Sequence, residues 1–170
     1  GNYIIEEGDY LFTLKKVMNK RFKIENGSTI NWTGDPYNAS ININEVYSLT
    51  AALYDFTLDL NDKRRVPVNC KLKMTGQLLN PDIAFDISFP DLDEQSKSKL
   101  LLQLNSEQQI NKQMFSLLVL GQFQPPDTKA ISGGAAGGVE ANSTELLSNQ
   151  LSNWLSQISE EFDIGVNYRP

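Results

Sequence analysis

The chain has 170 residues, with 15 basic and 21 acidic side chains for a net charge of −6, one cysteine and no histidine. This excludes His-based triads, imidazole general bases, His-ligated zinc and an internal disulfide, and the acidic balance speaks against a binder of nucleic-acid phosphates. A hydrophobic fraction of 40% suffices for a core, while no apolar run approaches the ~20 residues with which a helix spans a bilayer.

Residues 1–90 read as strands parted by short turns. Tyr10, Phe12 and Leu14 alternate with Leu11, Thr13 and Lys15, which predicts a strand covered in part on both faces. Phe22 and Ile24 alternate with Arg21, Lys23 and Glu25, and Asn26-Gly27 is a hairpin signal. Ile30 and Trp32 follow, then Gly34-Asp35-Pro36 punctuates. Tyr37, Ala39, Ile41 and Ile43 hold one face, and at Glu45-Val46 the parity slips, which predicts a bulge or the end of the strand. The cleanest alternation sets Val66, Val68, Cys70, Leu72 and Met74 against Pro67, Asn69, Lys71, Lys73 and Thr75. Leu79-Asn80-Pro81-Asp82 turns the chain, and Ile83, Phe85, Ile87 and Phe89 repeat the pattern. Whole strands with this period make an antiparallel meander with one apolar and one wet face.

After Pro90 the period changes. Residues 91–105 carry Leu100, Leu101, Leu102 and Leu104 among polar residues and read as a short helix. Ser106-Glu107-Gln108-Gln109 fits a capping box opening a second helix, whose Ile110, Met114, Leu117 and Leu118 share a face until Gly121 and Pro125-Pro126 end it. Residues 127–142 hold Ser132-Gly133-Gly134-Ala135-Ala136-Gly137-Gly138, a flexible linker by composition. Beyond it, Leu147, Leu151, Trp154, Leu155 and Ile158 recur at helical spacing, and Phe162, Ile164, Val166 and Tyr168 return to strand alternation. The fold class expected is mainly β with a helical insert (α+β). A curved antiparallel sheet or half-pipe spans residues 1–90, two to three helices from 91–160 pack on its apolar face, and a strand returns at 161–170. The start lacks a secretory signal and the end falls directly behind a strand pattern, so a fragment of a longer protein is expected, with its sheet continued downstream.

No constellation asks for catalysis, a cofactor or a metal. Glu6 and Glu7, then Asp91, Asp93 and Glu94, then Glu160, Glu161 and Asp163 sit at element boundaries, where they suit turns and helix N-termini. The glycine run lacks the Lys-Ser/Thr pair of a phosphate-binding loop. Lys63-Arg64-Arg65 reads as an exposed loop, with a weak attraction to anionic head groups as the alternative. Cys70, on the apolar parity, is expected buried and inert. The feature able to carry function is the apolar sheet face, which admits two readings: a core under helices, or a groove for acyl chains or an incoming β-strand.

Several segments add a resemblance. They are Phe22-Lys23-Ile24-Glu25-Asn26-Gly27-Ser28-Thr29-Ile30-Asn31-Trp32-Thr33-Gly34-Asp35-Pro36-Tyr37, Gly76-Gln77-Leu78-Leu79-Asn80-Pro81, and Phe115-Ser116-Leu117-Leu118-Val119-Leu120. The last is Leu147-Ser148-Asn149-Gln150-Leu151-Ser152-Asn153-Trp154-Leu155 with Phe162-Asp163-Ile164-Gly165-Val166-Asn167-Tyr168-Arg169-Pro170 behind it. In order and spacing they resemble the C-terminal domain of TamB, the translocation and assembly module subunit of the AsmA-like, bridge-like lipid transfer superfamily, in its Bacteroidota form. The resemblance runs from about Tyr3 to Pro170.

It implies a non-enzymatic module of envelope biogenesis in the periplasm, in a parent protein anchored in the inner membrane. That parent would support protein secretion, outer-membrane protein assembly and phospholipid transport through an apolar β-groove. The implied partners are an Omp85-type outer-membrane barrel (TamA-like) and phospholipid acyl chains, without nucleic acid and without a cofactor. On this reading Val68, Cys70, Leu72, Met74, Ile83, Phe85, Ile87 and Phe89 line the groove, and the helix bearing Leu147, Leu151, Trp154, Leu155 and Ile158 covers it. The alternative is an interaction module that lends an open β-edge to the barrel or to a client strand, with no lipid conduction.

Overall fold

In the computed structural model, which describes residues 1–14, 18–35 and 37–125, the alternation of the sequence becomes one open antiparallel sheet. Strands β1 (Asn2–Ile5) and β2 (Gly8–Leu14) succeed each other along one side. β3 (Met18–Ile24) pairs with β2, and β4 (Ser28–Trp32) with β1. Both then pair with the long β5 (Ala39–Ala52). A short helix α1 (Tyr54–Thr57) leads to β6 (Arg65–Gln77), which lies between β5 and β7 (Asn80–Ser88). The path is a meander, as the spacing of turns predicts.

The hairpin expected at Asn26-Gly27 is not there. β3 and β4 do not pair with each other; they run in the same direction against β5 as one strand broken by a bulge. Ile24 faces Glu45 and Thr29 faces Asn42, so residues 25–28 oppose only Ile43 and Asn44. Gly27, at φ +93°, takes the left-handed conformation the excursion needs. Ser28, 1% exposed, closes the gap: its hydroxyl donates to the Glu25 carbonyl at 2.9 Å and accepts from the Asn44 N–H at 3.0 Å. A side-chain oxygen thus replaces the ladder carbonyl that the bulge removes. Ser28→Ala strands the Asn44 N–H in the interior, and urea unfolding should show a loss of about 1–2 kcal/mol. A variant as stable as the parent would mean that the bulge refolds around another acceptor.

A second expectation fails at Glu45-Val46. There is neither bulge nor strand end, since the β5–β6 register runs unbroken from Ser40 opposite Gln77 to Ala52 opposite Arg65. Parity is kept by turning Glu45, not Val46, into the buried position after Ile41 and Ile43. Tyr37 lies outside β5 and is 78% exposed rather than sharing its apolar face. Leu11 is exposed as well, so β2 is covered on the side of Tyr10 and Phe12 only.

The insert begins as the caps foretell. α2 (Glu94–Gln103) starts at Asp93, whose carboxylate accepts the Ser96 N–H at 2.6 Å, and this bond holds the Asp93 carboxyl below the usual range. α3 (Glu107–Leu120) starts at Ser106, whose hydroxyl accepts the Gln109 N–H at 3.2 Å, and ends at Gly121 in the left-handed conformation. The backbone of α3 comes nearest to β7 and β3, which β5 and β6 separate in the sheet. The sheet therefore wraps round the helix as a trough. Met114, Phe115, Leu117 and Leu118 of α3 are buried in the same cluster as the inward residues of β5 and β6. Behind α3 the chain returns as a strap. Phe123 stacks on Phe56 of α1 (5.0 Å between centroids) and on Phe89 (6.0 Å).

Candidate functional site

The inward face of the trough is built in rows that the register fixes. Tyr47, Cys70 and Ile87 form one row across β5, β6 and β7, and Ile43, Met74 and Ile83 another. Between them lies Ile24, Glu45, Leu72 and Phe85, a row that also takes in β3. Period two puts all of these side chains on one face. The eight residues expected to line a groove thus belong to one continuous surface. Val68, Cys70, Leu72, Met74, Ile87 and Phe89 are no more than 2% exposed, while Ile83 and Phe85 are half-buried. In this arrangement α3 occupies the trough. Leu147, Leu151, Trp154, Leu155 and Ile158, expected as the cover, lie outside the described residues, as do the linker at 127–142 and the strand at 161–170.

Burial has two chemical consequences here. The Cys70 thiol, fully enclosed, is pushed up to about 12, so it stays protonated and unreactive as its parity suggests. The Glu45 carboxyl, 1% exposed, is pushed up to about 8 by burial. Among the described residues its Oε2 has no hydrogen-bond partner. Lys71 and Lys73, which alternate with Leu72, and Asp86, which follows Phe85, take the opposite parity and face the wet side. Glu45 is therefore a protonated carboxylic acid in an otherwise apolar row, with Tyr47 two residues on along the same face and Lys20 of β3 over the Tyr47 ring at 5.6 Å.

Sequence reasoning missed Glu45 because apolar Val46 follows it. The signal was present: Ile41, Ile43, Glu45 and Tyr47 keep period two if one polar member is allowed. It also missed Phe56 and Phe123, which lie outside any periodic run. The triplet Lys63-Arg64-Arg65 is exposed, as read, and is partly engaged. Arg64 forms a two-point pair with Asp62 at 2.8 and 2.9 Å, and Arg65 donates to the Thr50 carbonyl at 3.1 Å. Among the described residues there is no group of three or more potential metal ligands, and no helix is long and apolar enough to cross a membrane.

Comparison with protein families matches residues 1–169 to the family described as TamB C-terminal domain. Neither the curated proteins nor the solved structures show a match to the chain.

Proposed function

Because the chain belongs to the TamB C-terminal domain family, we propose that its trough is a segment of an apolar path for glycerophospholipid acyl chains. It would serve an envelope protein that also supports protein secretion and outer-membrane protein assembly. The family is one of assembly and transport components of the cell envelope, not of enzymes. The parent is anchored in the inner membrane and meets an Omp85-type, TamA-like barrel at the outer membrane. The observation that supports the lipid reading is the unbroken inward surface of β5, β6 and β7 in an open sheet. Such a surface shields acyl chains from water while leaving them free to slide, since apolar contact is non-directional.

Native mass spectrometry of the protein purified from cells tests this. Co-purified glycerophospholipid is expected, and it should be lost in Phe85→Glu and Ile83→Glu, half-buried positions where the fold tolerates a charge better than at Ile87. A lipid-free protein would sink the reading. One observation favours a second reading, in which the module lends a strand: among the described residues β7 pairs with β6 alone, so its other edge faces no described strand. A lipid-free, stable protein that captures the barrel through β7 would establish that reading instead.

A further inference from the structure

With α3 in place the trough has no room for an acyl chain: Val68, Cys70, Leu72 and Met74 are at most 1% exposed. A path for acyl chains therefore needs α3 to leave, and the helix is built as a unit that can. It carries its own caps, at Ser106 and at Gly121, whose N–H donates to the Leu117 carbonyl at 3.1 Å. Two of its buried polar side chains, Gln113 and Ser116, bond to the strap at 121–125. Gln113 accepts from the Gln124 N–H at 2.9 Å and donates to the Gln124 carbonyl at 3.0 Å, and Ser116 donates to the Gln122 carbonyl at 2.6 Å. These bonds travel with α3 when it moves. Met114, Phe115, Leu117 and Leu118 meet the cluster shared with the sheet, a non-directional contact that aliphatic chains can replace. Phe123 of the strap adds its stacks on Phe56 and Phe89. At both rims apolar surface flanks the helix, since Ile24 of β3 and Ile83 and Phe85 of β7 are only half-buried on the inward face.

Resting on the acyl-chain reading above, we infer that α3 and the strap form a displaceable plug, latched by Phe123, which an acyl chain entering at the half-buried rims drives out of the trough. The methylenes of the chain take the places of Met114, Leu117 and Leu118, so the apolar sheet face stays covered in both states. α2 stays behind: it is capped separately at Asp93 and keeps Leu100 and Leu104 in the cluster, so Leu104-Asn105-Ser106 is the hinge. In the absence of lipid the plug keeps a large apolar face from water and from self-association. The latch sets the threshold. Its ring contacts exist only in the closed state, so a lipid that binds the open state must offset them.

Amide hydrogen exchange on the full 170-residue protein reads the plug directly. Without lipid, and after correction for intrinsic rates, the amides of α3 and of residues 121–125 are expected to exchange as one group, about tenfold faster than those of β5 and β6. Lauroyl lysophosphatidylcholine below its micelle concentration should speed exchange in α3 and the strap by about another tenfold while slowing it in β5 and β6. Phe123→Leu keeps apolar volume but gives up both stacked contacts. It should bind the same probe about tenfold more tightly in titration calorimetry, because the latch opposes the bound state. The plug is overturned if α3 exchanges no faster than β5 and β6, or if the probe speeds exchange in all of them alike. Binding that leaves α3 protected, or an affinity unchanged in Phe123→Leu, also overturns it and leaves the acyl-chain reading standing. If neither protein binds the probe, the acyl-chain reading falls and the plug with it.

Discussion

Replacing Glu45 by leucine is expected to stabilise the protein by about 3 kcal/mol at pH 7, a gain from a substitution inside the core. The direction follows from the burial that raises its carboxyl from 4.5 to about 8. Below the unfolded value, folded and unfolded chains both hold the proton and there is no penalty. Between 4.5 and about 8 the unfolded chain releases a proton that the folded chain keeps, so stability falls by about 1.4 kcal/mol for each pH unit. Above the folded value the loss levels off. Urea unfolding at pH 5, 6, 7 and 8 reads this directly. The difference between wild type and Glu45→Leu should widen with pH, and Glu45→Gln should track the leucine variant in slope while remaining less stable, because its amide is buried without a partner. Parallel curves for the three proteins would show that the carboxyl does not titrate in the interior.

Phe123→Ala is expected to be the most damaging single truncation, at about 4 kcal/mol. Phe123 is 1% exposed and stacked between Phe56 and Phe89, and emptying such a site removes transfer energy, creates a cavity and abolishes two ring contacts. The strap that carries it is held to α3 by polar side chains. The Ser116 hydroxyl donates to the Gln122 carbonyl at 2.6 Å, and Gln113 both donates to and accepts from the Gln124 backbone, at 3.0 and 2.9 Å. Gln113 and Ser116 are themselves buried, so a strap that loses its aromatic anchor also leaves their groups unsatisfied. Near-UV circular dichroism should weaken before far-UV signal does, as packing is lost ahead of the sheet. A loss below about 1 kcal/mol, at the level of a surface change, would mean that the strap is peripheral.

The parts of this molecule that rest on nearest neighbours in the chain were open to reading. Asp93 and Ser106 cap helices because a short oxygen-bearing side chain two or three residues before an amide can accept from it whatever lies elsewhere. Val68, Cys70, Leu72 and Met74 share a face because the pleat dictates it. Pairing is different. Asn26-Gly27 has the composition of a hairpin, and in an isolated peptide those residues would favour one. Here β5 offers a longer partner to both β3 and β4, and its ladder outweighs a local turn preference.

Glu45 divides the two kinds of knowledge most clearly. The sequence alone determined that residues 39–43 alternate, that a meander precedes helices, that catalysis by histidine or a disulfide framework is absent, and which surface is apolar, since each follows from composition or from a period of two or 3.6 residues. Only the tertiary structure decided that the alternation runs on through a carboxyl group, that α3 is what occupies the trough, and that Phe123 returns to lock it. These depend on contacts between residues far apart in the chain. The unbroken β5–β6 ladder, thirteen residue pairs from Ser40 to Ala52, holds Glu45 inward against the preference of its own side chain, and no local pattern records the strength of a neighbouring strand.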